Sequence, residues 1–152
     1  MTPSQINARI VIERIDWIEK MAAEIRSLPL DDFSRFNQDS RNVWTAESCL
    51  RRGLEALMDL GRHILSKGFG VVVSEYKEIA ESLKNAGVLN EKDAELMKTL
   101  AGYRNRMVHF YHQVTPQELY GISRDELDDL LSLAGTFRAW LKSHPEKLDQ
   151  TL

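Results

Sequence analysis

The sequence predicts an all-α protein, an up-and-down bundle of four longer helices with one or two short ones. Apolar residues recur at helical spacing along most of the chain, while the one strand-like run, Val71-Val72-Val73, is too short to make a sheet without a partner. Capping residues and helix breakers recur at intervals that suit helices joined by short connections. A composition of 43 % hydrophobic and 28 % charged residues, with eight Gly and four Pro, fits a soluble helical globule and not a disordered or fibrous chain.

Thr2-Pro3-Ser4-Gln5 reads as a cap, a proline at the first helical position and a Gln reaching back, so a long helix should follow. Ile6, Ile10, Trp17, Met21, Ile25 and Leu28 fall on one side of it, widened by Val11, Ile15, Ile18 and Ala22, until Pro29 ends the run. Leu30 to Phe36 is a connector with room for one helical turn. A second helix runs from Asp39 or Ser40 to about Lys67, where Gly68 offers a left-handed exit. Its seam, Val43, Leu50, Leu54, Leu57, Gly61 and Ile64, advances by threes, fours and sevens. Ser74 should cap a third helix that ends before Gly87. Asn90 should cap the fourth, with Glu91 and Asp93 set favourably against its dipole. Thr115-Pro116-Gln117-Glu118 and Ser123-Arg124-Asp125-Glu126 both have capping-box form. The second should start a last helix through Leu127, Leu130, Leu131, Ala134, Phe137 and Leu141, stopped by His144-Pro145.

A length of 152 residues suits one domain, with no repeat or linker to divide it. The expected organisation is a single helical domain over 1–144 and a loose tail over 145–152. The net charge of -3 excludes a generally basic nucleic-acid coat, so any phosphate binding must come from a local positive cluster. Cys49, the one cysteine, cannot form an intrachain disulfide and reads as a buried thiol. Charges through the first apolar run exclude a signal peptide or membrane span there, and the expectation is a cytoplasmic protein.

Tyr103 to His112 packs two arginines, two histidines, an amide and two phenols into the end of the fourth helical pattern. At about 100° per residue, Leu96, Leu100, Tyr103, Met107 and Phe110 form a core stripe. Beside it lies Ala94, Met97, Ala101, Arg104, Val108 and Tyr111, an apolar row that Arg104 interrupts. A guanidinium there must be paired, reach outward or lie at an interface, because an unpaired buried charge is costly. A third, polar stripe holds Lys98, Gly102, Asn105, His109 and His112. Arg104 and His109 lie about 140° apart around the axis, so they converge only at a cleft that wraps this helix, such as a two-fold dimer supplies.

A lone histidine is more often an ordinary surface or core residue than a catalyst. Beside Arg104, Asn105 and Arg106, however, His109 is a candidate acid or base next to cations able to hold a phosphodiester, since histidine is the side-chain type suited to proton transfer near neutral pH. His109 and His112 lack a third partner for metal binding. His63 reads as structural, Arg51-Arg52 as a solvated face, and Tyr103 and Tyr111 as packing residues whose hydroxyls reach water.

Arg104, four residues, His109, one residue and Tyr111 together resemble the R-x4-H-x-Y signature of HepT-like toxins, members of the all-α HEPN ribonuclease superfamily. The order of the segments around it, Tyr76 to Asn90, Leu100 to Arg106 and Thr115 to Tyr120, is similar too. Phe110 departs from the family pattern, since many relatives carry a small residue there. The resemblance implies a homodimer whose composite cleft holds Arg104 and His109 from both protomers and cuts RNA without a metal or other cofactor. It implies His109 as general base or acid, Arg104 as stabiliser of the charged transition state, and Asn105, Arg106 and His112 as supporting groups. It also implies a partner, an MntA-like nucleotidyltransferase antitoxin that transfers AMP to Tyr111.

A second reading is a non-catalytic helical protein that uses the same surface to hold a nucleotide or a nucleotidyltransferase. The acidic overall charge favours it, whereas the cluster of Arg104, Arg106, His109 and His112 favours a nuclease. A purely structural bundle would leave Arg104 on its apolar row without a reason.

Overall fold

The computed structural model describes residues 5–149 and is all-α as expected. Seven α-helices are present among them: α1 Ala8–Arg26, α2 Phe33–Gln38, α3 Ser40–His63, α4 Tyr76–Asn85, α5 Glu91–His109, α6 Pro116–Asp125 and α7 Leu127–Ser143. Helix α3 is the centre of the bundle and touches each of the other six. Its seam explains this: Leu50, Leu54, Leu57 and Ile64 are buried, and Gly53 and Gly61 let neighbouring helices come close. Among the described residues no helix is long and apolar enough to cross a membrane.

The start of the chain differs from the expectation. Thr2 to Ser4 lie outside the described residues, and Ile6–Asn7 is a short strand, β1. Asn7 caps α1, its side-chain oxygen accepting from the Ile10 N–H at 3.2 Å. The buried face of α1 is Val11, Ile15, Ile18, Met21, Ala22 and Ile25, while Trp17 is exposed because its position falls at the edge of that stripe. At the far end, residues expected to be loose are docked. After the turn Pro145–Lys147, strand β2, Leu148–Asp149, pairs in parallel with β1. Lys147 Nζ donates to the Gly68 carbonyl at 3.0 Å.

Helix α3 passes through a wider π turn, Ile64–Gly68, and the left-handed residue that follows is Gly70, φ 66°, not Gly68. Gly68 serves close approach instead, since a Cβ there would meet Ile6 Cδ1 at 2.9 Å. Helix α4 starts from Glu75, with no side-chain cap from Ser74. It ends at Asn85, and at Gly87, φ 83°, the chain reverses: Val88 N–H returns to the Leu83 carbonyl at 2.9 Å and α5 is laid antiparallel to α4. Asn90 and Thr115 cap α5 and α6 as expected. Ser123 does not cap: it lies inside α6, 2 % exposed, and α7 follows after the single break at Glu126.

His63 ties β1 to the end of α3, its Nε2 accepting the Asn7 N–H at 3.1 Å. That bond needs an imidazole unprotonated at Nε2. Burial, then Lys67 and Arg14, hold the His63 pKa below its ordinary value. As pH falls, the unfolded chain therefore takes up this proton before the folded one. The stabilisation is complete above the ordinary histidine value of about 6.5 and is lost as pH falls through the depressed folded value. The melting temperature should thus decline between pH 7 and 5. In His63→Gln, whose amide oxygen accepts without titrating, that decline should flatten; an equal decline in both proteins would refute this role.

Candidate functional site

Three pieces of chain meet at one end of the bundle: the C-terminus of α3, the N-terminus of α4 and the last two turns of α5. The antiparallel α4–α5 hairpin sets the beginning of α4 beside the end of α5. Between them lies a cleft of about 590 Å³. Helix α5 supplies Arg104, Asn105 and His109, with Phe110 directly after it, α3 supplies Arg62, and the start of α4 supplies Tyr76 and Lys77 with Ser74 and Glu75 just before them. Arg104 and His109, on different sides of α5 by helix geometry, thus line one concavity within a single chain.

Tyr76 is the floor on which the cations are arranged. The Arg104 Cζ lies 4.3 Å from its ring centroid and the Arg62 Cζ 4.9 Å. Its hydroxyl donates to Asp59 at 3.3 Å, and burial followed by the Asp59 charge raises its pKa, so the ring stays a neutral phenol. Arg104 is 19 % exposed and has one ion pair, Nε to Glu55 at 3.6 Å, beyond hydrogen-bond distance. Its Nη1 donates to Asn105 Oδ1 at 3.2 Å. The Nε atoms of Arg104 and Arg62 are buried with no hydrogen-bond partner among the described residues. Cationic donors in a cleft, with an imidazole on the same helix, form a site for a phosphate or a carboxylate.

The remaining sequence candidates fall elsewhere. Arg106 points away to a two-pronged pair with Glu118, whose second bond, Nη2 to Oε2, is 2.9 Å, and so pins α6 to α5. Helix α5 ends at His109, one turn earlier than the stripes require. Thr115 must be extended before Pro116, and the chain turns at once through Tyr111–Gln113 to bring Leu119 back to the core. Phe110, expected in the core, is consequently 50 % exposed at the cleft rim, and His112 is exposed. Tyr111, 70 % exposed, lines a second cleft of about 600 Å³ with Trp44 and Val108. Glu55 stands between the two, lining the second cleft and pairing with Arg104 of the first. Tyr103 is half-buried, and burial followed by a hydrogen bond with the Glu126 carboxylate pushes its pKa up to about 12. Arg51 is held by Glu47 and Glu55 and adds no free positive surface. Cys49 is half-buried, and burial raises its thiol pKa.

Arg62, Tyr76 and Lys77 escaped the sequence reading. A topological signal was available, because a short α3–α4 connection followed by an antiparallel α4–α5 hairpin must bring the end of α3, the start of α4 and the end of α5 together.

Comparison with known proteins adds the following. A family model described as ribonuclease HepT-like matches residues 18–136. A protein of Archaeoglobus fulgidus named as a candidate RNase is 34 % identical over 82 residues, which span 54 % of this chain and 61 % of that protein. The chain therefore spans less than two thirds of that relative's length. Among solved structures, the tri-AMPylated Shewanella oneidensis HEPN toxin in complex with its MNT antitoxin superposes with a TM-score of 0.76 at 22 % identity, covering 86 % of this chain and 97 % of the toxin. The Bacillus subtilis cytosolic protein of unknown function YutE superposes with a TM-score of 0.75 at 20 % identity, covering 91 % and 93 %. At these identities the likeness to the solved structures is one of fold.

Proposed function

Since this chain belongs to the HepT-like ribonuclease family, we propose that it is the toxin of a toxin–antitoxin pair, a cytoplasmic endoribonuclease working as a homodimer without metal. The observation that carries the reading is the gathering of Arg104, Asn105 and His109 into one cleft. In a two-fold dimer with the ends of α5 at the seam, two such sets face one phosphodiester. His109 of one protomer takes the proton of the ribose 2'-hydroxyl as that oxygen attacks phosphorus. The bond from phosphorus to the 5'-oxygen breaks, and the partner's His109 protonates the departing oxygen. The products carry a 2',3'-cyclic phosphate and a 5'-hydroxyl. Arg104, held against Tyr76, offers fixed donors to the oxygens that gain charge during the attack. Asn105 orients the guanidinium through the bond it already makes. Because RNA supplies its own nucleophile, no Ser or Cys is needed.

The antitoxin in this reading is an MntA-like nucleotidyltransferase, and Tyr111 is its target. The exposed Tyr111 ring suits attack by its hydroxyl on the α-phosphate of ATP with release of pyrophosphate. The adenylate left beside Phe110 would place negative charge and bulk at the mouth of the cleft and repel RNA.

The test is incubation of the purified protein with single-stranded RNA in excess EDTA. The expected result is cleavage with 2',3'-cyclic phosphate ends. Intact RNA, or ends bearing a 3'-hydroxyl, would overturn the mechanism. RNA bound but never cut would instead support the non-catalytic reading that the net charge of -3 favours.

A further inference from the structure

We propose that Arg62 is a second phosphate-binding residue, holding the phosphate next to the one on which Arg104 and His109 act, so that one cleft grips two successive phosphates of a strand. The inference rests on the ribonuclease reading for the identity of the strand but has its own grounds.

Two guanidiniums share one phenol ring, with Cζ atoms 4.9 and 4.3 Å from its centroid. Like charges so placed repel, and a single ring compensates only in part. Most arginines of the described chain have a carboxylate close by, as Arg41 has Asp39 at 2.9 Å and Arg124 has Asp125 at 2.7 Å. Arg62 has no such ion pair among the described residues. Its bond to protein is Nη2 to the Ser74 carbonyl at 3.4 Å, and its Nε is buried without a partner. Of the acids nearby, Asp59 is engaged by the Tyr76 hydroxyl at 3.3 Å, and Glu75, which also lines the cleft, pairs with Lys77 at 3.4 Å. A permanent cation without an acidic partner, in a concavity with a second cation, is the arrangement that an anion reaching its terminal Nη groups completes.

The neighbouring phosphate is favoured over the reacting one by the way the elements divide. Arg104 shares its helix with Asn105 and His109, whereas Arg62 enters from α3 across Tyr76, beside Lys77 at the start of α4. The contact with the ring restrains the guanidinium, and its planar fork grips a phosphate in a way that a lysine in its place would not.

The experiment compares a dinucleotide holding only the scissile phosphate with the same dinucleotide extended by one nucleotide. The ratio of kcat/KM for the longer over the shorter substrate should fall about tenfold in Arg62→Gln, through KM, with part of the loss restored in Arg62→Lys. An unchanged ratio would overturn the proposal, whether because both substrates suffer equally or because neither does. A second arm measures equilibrium binding of single-stranded RNA to the His109→Ala protein against salt. Adding Arg62→Gln should reduce the slope of log K on log salt by about 0.7, the value for one phosphate contact on a single strand. No change in slope would overturn the phosphate contact. If the wild-type protein cuts nothing and yet the slope falls, the ribonuclease reading fails while the contact stands.

Discussion

His109→Ala should lower the rate of RNA cleavage by about 10²- to 10⁴-fold, the range for removing a general acid–base. Arg104→Ala should cost about 10²- to 10³-fold, as for one fixed donor to developing charge. Both losses should appear in kcat more than in KM, because each group is asked to act on the transition state. The double variant should be little worse than the more damaged single one, since the residues work as a unit. Neither change should unfold the chain: His109 is exposed at the last position of α5, and Arg104 makes one ion pair too long for a hydrogen bond. Circular dichroism and sedimentation of the variants check this directly. Arg106→Gln is the internal control, an arginine two positions away whose guanidinium is committed to Glu118. It should loosen α6 and lower the melting temperature while leaving cleavage near the wild-type rate. Cleavage at the wild-type rate in both His109→Ala and Arg104→Ala would eliminate the proposed chemistry, and loss in Arg106→Gln equal to theirs would mean that the cleft has been drawn in the wrong place.

What the sequence discloses about this protein follows the range of the forces involved. Asn90 and Thr115 could be read as caps because the bond each makes closes within three residues. Ser123 has the same local pattern and fails, because burial between helices keeps it inside α6, and no window of four residues contains that information. Phe110 falls outside the core because a period of 3.6 does not extend past the point where the pre-proline geometry of Thr115 forces a turn. A two-residue strand such as β1 has no period to detect at all. At the cleft, the motif residues were visible as an excess of chemistry on α5. Arg62 and Tyr76 were not, since an arginine and a tyrosine on amphipathic helices are ordinary until three elements bring them to within 5 Å of one another, as the 4.9 Å contact does here.

Gly61→Val should destabilise the fold by about 2–3 kcal/mol, as overpacking of a tight core does, and lower the melting temperature by roughly 4–12 °C for a chain of this size. A Cβ at this position would meet Ile79 Cγ2 at 2.9 Å, Leu83 Cδ1 at 3.0 Å and Met97 Cε at 3.2 Å, so α3, α4 and α5 converge on it together. Gly61→Ala is the measure of how the contact divides. Alanine gains about 1 kcal/mol of helix propensity over glycine, and the atoms it meets are side-chain ends that can give by a few tenths of an ångström. Its net effect should therefore be near zero. Valine adds two methyl groups with a stiff χ1, and the helices must then separate. The consequence reaches the cleft, because Gly61 precedes Arg62 and its contacts fix α4, which carries Tyr76, against α3 and α5. Below its melting temperature, Gly61→Val should thus retain helical structure but lose RNA cleavage more than its residual folded fraction explains. A valine variant as stable as the alanine one would show that the three helices do not close on this glycine, and normal activity in a destabilised valine variant would separate the packing of α3 from the geometry of the site.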